Sequence, residues 1–299
     1  MLLERLNDPH WTWLVYLEMF TAGVAGGAYV AATLLELSGR GRSPAARTAH
    51  LIAFPLMAVA GLLLIFDLNR PLRFWHMIVQ AERYLPMLKP WSPMSLGSWL
   101  LLLFSGVAFV SFVDALIARR LFRLGGWRHD RTLHGGPIGI AWSVFGAVLA
   151  SGVGIYSAVL MTTSTFPGWS HLSIVPAVYV ATALITGVAA VVLVQAIRGQ
   201  LDADTLGLDR ANLWLIGWWL VLVVVFLLTL MGRRDASIYL DDRSLTAILA
   251  GTVLAGILPL ILHAIRPVGL TSRLAVSSVL VLIGGFLLRY GIVMGPQLH

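Results

Sequence analysis

The 299-residue chain contains no cysteine. It therefore has no thiolate to hold an iron–sulfur cluster, no C-x-x-C-H site for covalent haem and no disulfide. Lysine is nearly absent, Lys89 being the only one, and no glycine–lysine loop is present to cradle a phosphate. H-E-x-x-H and G-x-S-x-G patterns are missing too, which removes the common zinc-hydrolase and nucleophile-elbow readings. Charge itself is scarce: 12% of residues are charged, against about a quarter in a soluble domain. The net charge of +7 comes almost wholly from arginines. They sit in short segments between apolar runs, so they point to a membrane rather than to nucleic acid.

What is abundant is apolar sequence. Hydrophobic residues make up 58% of the chain. Eight runs stand out, roughly 13–37, 50–68, 95–121, 137–161, 171–197, 212–231, 244–265 and 272–294. Crossing the hydrocarbon core takes ~20 apolar residues as a helix, and runs this long suit helices rather than barrel strands. The fold class expected is all-α: a polytopic membrane protein of eight transmembrane helices in one integral domain. Glycines such as Gly23, Gly26, Gly27, Gly284 and Gly285 read as close-packing points, and Pro55, Pro176 and Pro259 as kinks. The first ten residues lack the pattern of a cleavable signal, so the first run is expected to stay in the protein.

An even number of spans puts both termini on one side. Twelve basic residues fall on the opposite side, among them Arg40, Arg42, Arg47 and Arg119, and eight on the side of the termini. The positive-inside rule then places both termini outside, in the periplasm of a cell inner membrane.

Ionisable residues inside spans are costly and default to functional candidates. Glu18, Asp67 and Arg289 fall in the outer half, with Tyr156 at similar depth; Asp114 falls nearer the inner face, as do Glu36 and His50. A quinone headgroup needs hydrogen-bond donors, a group that exchanges protons and an apolar slot for its tail. Glu18 can exchange protons and Tyr156 can donate. Plainer readings stand beside this one. Asp67 and Arg70, three residues apart, can form an interfacial ion pair; Arg289 can neutralise a buried acid or snorkel; Tyr156 can anchor at the interface. His50, His171 and His263 lie at span ends without an obvious partner, so interfacial histidine is preferred to haem ligation, and no metal site is expected.

Five stretches resemble the NrfD/PsrC family of polysulfide-reductase-like membrane subunits. They are HWTWLVYLEMFTAGVAGGAY in the first run, DLNRPLRFWHM after the second, SPMSLGSWLLLLF opening the third, GVGIYSAVLM in the fourth and GGFLLRYGIVMGPQ at the end. The resemblance implies eight helices in two four-helix bundles and a site for menaquinone or ubiquinone near the outer surface. It implies a ferredoxin-like iron–sulfur subunit as electron partner, docking at the 69–94 segment, and a catalytic subunit, often of the molybdopterin type. Glu18 falls where relatives place a polar quinone-site residue, Tyr156 where they place a tyrosine, and Asp67 and Arg70 within the matching second-run segment. Beside the resemblance, the placement of the residues gives Arg289 as supporting charge and Asp114, with Glu36 and His50, as the candidate start of an inner-side proton path, which would allow proton translocation. Two other classes stay open: a proton channel or transporter, and a structural anchor without a quinone site.

Overall fold

The computed structural model describes residues 11–68, 70–80, 82, 84–119, 133–134, 136–164, 169–170, 172–232, 242–266 and 268–297. Among these residues eight helices are long and apolar enough to cross a membrane: α1 (Trp13–Leu37), α2 (Pro44–Asp67), α3 (Pro93–Ala118), α4 (Pro137–Thr162), α5 (Val175–Ile197), α6 (Ala203–Met231), α7 (Arg243–Ile265) and α8 (Leu270–Met294). At 1.5 Å per residue the shortest, 23 residues, covers the ~30 Å hydrocarbon core with little to spare. The chain is a multi-pass membrane protein. Large apolar side chains such as Leu102, Phe109, Trp218, Val224 and Leu228 stand exposed along α3 and α6. In water such faces would be aggregation sites; in a bilayer they meet their proper solvent.

Local chemistry sets where the helices start. Ser43 caps α2 by accepting from the Ala46 N–H at 3.2 Å, with Pro44 in the first turn. Ser92 and Pro93 repeat the arrangement at α3. Asp202 caps α6, accepting from the Thr205 N–H at 2.8 Å. Two helices are therefore longer than hydropathy alone suggests. Helix α2 begins at Pro44 rather than at 50, and α6 at Ala203 rather than at 212. The added turn of α6 is polar because it works at the bundle's end: Asp204 pairs with Arg40 at 3.0 Å, and Asp209 with His263 at 3.1 Å. At α5 the difference runs the other way, the helix starting at Val175 and not 171. His171 itself lies outside the described residues. Helix α3 ends at Ala118 with Arg119 as its cap, and residues 120–121 lie outside the described residues as well.

Helices α1 and α5 are the most buried spans and pack against each other. Their seam closes where Gly27 meets Gly187: a Cβ on Gly27 would strike the Ala183 carbonyl, and one on Gly187 the Gly27 backbone. Small residues admit this approach, so backbone dispersion contacts replace side-chain ones. Helix α1 also packs on α2 and α4, and α5 on α6 and α8. Within α7 a π turn spans Val253–Ile257, just before Pro259. Its Gly256 lies against Trp219 and Leu220 of α6.

Between α2 and α3 the chain forms a 3-10 turn, Pro71–Met77, and an isolated antiparallel bridge between Val79 and Pro86. Leu72, Phe74, Tyr84, Leu85, Leu88 and Trp91 are exposed there, beside exposed Arg70, Arg73 and Lys89. This amphipathic surface fits a segment lying at the membrane interface.

Candidate functional site

Helices α1–α4 carry two buried polar clusters on opposite ends. Glu18 and Glu36 mark them, and eighteen residues of α1 separate the two by about 27 Å.

At the Glu18 end, the Tyr156 hydroxyl of α4 donates to Glu18 Oε1 of α1 at 2.9 Å. Glu18 is 1% exposed, so this hydrogen bond is made away from water and is correspondingly strong. The tyrosine ring fits because α3 presents Gly97: a Cβ there would lie 2.5 Å from the ring. Asp67, at the end of α2, accepts from the Thr12 hydroxyl at 2.5 Å and is electrostatically coupled to Glu18. The Asp67–Arg70 ion pair that their spacing allows does not form, and Arg70 is exposed.

Arg289 of α8 is fully buried, so it neither snorkels nor reaches lipid. Its guanidinium donates to the Met19 carbonyl, and at 3.1 Å to the Tyr179 carbonyl, and sits 4.9 Å from the Tyr179 ring centroid. Gly23 makes the space, since a Cβ there would stand 2.5 Å from the guanidinium. The charge thus lies one residue along the backbone from Glu18, coupled to it through space rather than by a direct hydrogen bond.

At the Glu36 end, Glu36 Oε2 lies 2.7 Å from His134 Nδ1 and accepts from the Ser143 hydroxyl at 2.6 Å. His50 stacks on His134, with ring centroids 4.2 Å apart and 23° between planes. His50 is 2% exposed, and among the described residues neither of its ring nitrogens has a hydrogen-bond partner. It is a buried histidine, not an interfacial one, because the capped start of α2 places it in the second turn. Asp114 accepts from the backbone N–H of Leu133 at 2.7 Å and of His134 at 3.5 Å, so its carboxylate clamps the segment entering α4. The polar set extends inward to Tyr29, whose hydroxyl lies 3.0 Å from Ser111 Oγ, itself an acceptor from Trp142 Nε1 at 3.1 Å. There it stops. Ala22, Ala25, Met57, Phe104, Val107, Leu149 and Val153 form an apolar layer between Tyr29 and Tyr156.

An apolar groove of about 380 Å³ opens between α4, α5 and α6, lined by Ile155, Pro176, Val180, Leu184, Leu215 and Trp218 among others. Ile155 neighbours Tyr156 in sequence, and the lining of α5 comes from its first turns, so the groove lies in the Glu18 half of the bundle.

With this geometry in view, comparison with known proteins decides the family. The family described as "Polysulphide reductase, NrfD" matches residues 2–299. The chain belongs to the NrfD family. The C subunit of polysulfide reductase from Wolinella succinogenes is 30% identical over 210 residues, which are 64% of the present sequence. The match spans about 60% of the length of that relative. Of the residues singled out from sequence in this NrfD-family protein, Glu18 and Tyr156 come together, with Asp67 and Arg289 around them and Arg70 apart on the surface. Glu36 and His50 come together at the far end, with Asp114 as a backbone clamp. Sequence reasoning missed His134, Ser143, Tyr179 and the ring seat at Gly97. His134 lies in a short LHGGP segment outside any apolar run, and Ser143 and Tyr179 are ordinary helix residues. Only Gly97, in the motif SPMSLGSW, lies where the sequence itself carries a signal.

Proposed function

We propose that this protein is the quinone-reactive membrane subunit of a multi-subunit oxidoreductase. The observation that carries the reading is the buried hydrogen bond from Tyr156 to Glu18, made across α1 and α4 within the membrane-spanning part of the chain. A carboxyl group and a phenol side by side suit the carbonyl and hydroxyl oxygens of a quinone: the carboxyl accepts or returns a proton, and the phenol, turning its single hydrogen from Glu18 Oε1 to the headgroup, donates a hydrogen bond. Menaquinone or ubiquinone supplies the two-electron, two-proton chemistry when bound. Glu18 holds the exchangeable proton on its carboxyl group, and Tyr156, donating to Oε1, keeps that group oriented towards α4. Arg289 fixes the backbone at Met19 and adds positive potential beside the carboxyl group. The Thr12–Asp67 pair places a polar contact between the start of α1 and the end of α2, at the Glu18 end. The groove lined by Ile155 and Trp218 offers an apolar slot for an isoprenoid tail in the same membrane leaflet.

Without cysteine the chain has no thiolates to hold an iron–sulfur cluster of its own, so in this reading an electron partner is assigned to another subunit. That partner is a ferredoxin-like iron–sulfur subunit seated on the exposed aromatic and basic surface between α2 and α3, and it serves a catalytic subunit of the molybdopterin type. The complex sits in the inner membrane with the Glu18 end, and both termini, on the periplasmic side.

The test is Glu18→Gln in the purified complex, with turnover measured against quinol and against a soluble dye that bypasses this subunit. Quinol-linked turnover falls by ~10²-fold, the scale of general acid–base catalysis, while dye turnover holds. Equal quinol-to-dye ratios in variant and parent would remove Glu18 from the reaction.

A further inference from the structure

We infer that Glu36, His50 and His134 form a binding site for one zinc-class divalent ion at the end of α1–α4 opposite Glu18. One ligand atom from each of the three lies within 4.8 Å of the others, and all three side chains are buried. A carboxylate with two imidazoles is the donor set of open zinc sites, and imidazole selects zinc, cobalt or nickel over magnesium and calcium. The second, independent observation is His50. It is only 2% exposed, both ring nitrogens lack hydrogen-bond partners among the described residues, and it faces the pair formed by His134 and Glu36. A buried imidazole with nothing to bond is a group whose partner remains to be named, and a metal ion supplies one.

The surroundings are built as a ligand shell is built. Asp114 holds the backbone at Leu133 and His134, which fixes where the His134 ring stands. Ser143 orients the Glu36 carboxylate. Gly139 leaves room for that carboxylate, because a Cβ there would lie 2.7 Å from Glu36 Oε1. A cavity of about 10 Å³, room for a single water, opens beside the cluster against His50, His134 and Asp114, and can hold the fourth, solvent ligand.

The fit needs modest movement. Ligand atoms about 2.0–2.1 Å from a tetrahedral ion stand about 3.3 Å from one another. The 2.7 Å contact between Glu36 and His134 therefore opens by roughly half an ångström as the ion replaces the hydrogen held there, and the His50 ring swings out of its stack towards the cavity. Arg42 and Arg47 also line that cavity. Their charge opposes a dication while Glu36 and Asp114 favour it, which points to a reversible site and not a permanent structural one. The site does not depend on the quinone reading, since it is read as binding to the protein itself.

The full-length protein, purified without a polyhistidine tag and stripped with chelator, is titrated with Co²⁺ and then with Zn²⁺ in competition with a chromophoric chelator. The expected result is one ion per molecule, visible absorption of four-coordinate cobalt that zinc displaces, and affinity lowered by at least ~10-fold in Glu36→Gln and His134→Asn. His76→Asn and His263→Asn leave binding unchanged. A parent protein that takes up no stoichiometric ion, or only six-coordinate cobalt of weak absorption, overturns the proposal without recourse to any variant. So does uptake that survives Glu36→Gln and His134→Asn in protein that remains monodisperse. Quinol-to-dye turnover at Glu18 is a separate measurement, so either claim can fall alone.

Discussion

Glu18, Tyr156 and Arg289 show how a few polar atoms are held in a setting that penalises them. Tyr156→Phe removes the donor to Glu18 Oε1 at almost no change in volume. The expected cost in stability is about 1 kcal/mol, visible as a small fall in thermal midpoint, with a larger fall in quinol turnover than in dye turnover. Gly97→Ala reaches the same group without touching either partner's identity: its methyl displaces the Tyr156 ring, and quinol turnover drops while assembly of the complex is unchanged. Arg289→Ala acts differently. It empties a fully buried volume and strips two carbonyls of their donor, so destabilisation of about 2–5 kcal/mol is expected in detergent melts. Glu18 and Arg289 are legible in the sequence because a charge inside an apolar run is conspicuous. Their roles are less so. That Arg289 points at backbone carbonyls, and that Asp67 takes the Thr12 hydroxyl instead of Arg70, depends on helix rotation, which no linear spacing encodes.

At the scale of helices, the eight spans are legible from apolar length, since the bilayer imposes that length. Their ends are not, because hydropathy stops where polar first turns begin. Ser43 with Pro44, and Asp202 three residues before Thr205, are capping signals that extend α2 and α6 to their true starts. The difference matters for function, since the capped start of α2 is what buries His50. Asp202→Ala should cost about 1 kcal/mol as a lost cap, measured by thermal unfolding. The α1–α5 seam is less tolerant. Gly27→Val forces a branched side chain into the Ala183 carbonyl and should lower stability by about 3 kcal/mol or more, with reduced yield of folded protein in the membrane. Gly27 is recognisable as a packing point, but Gly187 and the partner helix α5 are not, because the sequence does not say which helices become neighbours.

For the molecule as a whole, eight spans return the chain to the side on which it began. Reporter fusions at residue 299 should be active only as a periplasmic marker such as alkaline phosphatase, and silent as a cytoplasmic fluorescent marker; the reverse pattern would invert the orientation read from the basic residues. The apolar layer of Met57, Phe104, Val107, Leu149 and Val153 has a consequence of its own. A transmembrane voltage falls mainly across whatever is driest and least polarisable, and moving one elementary charge through 100 mV takes about 2.3 kcal/mol. On the proposed quinone reading, protons exchanged at Glu18 would enter and leave on the outer face of that layer. Quinol oxidation or reduction in sealed vesicles should then be electrically silent, running at the same rate with the membrane potential clamped to zero or poised at about −100 mV by a potassium gradient.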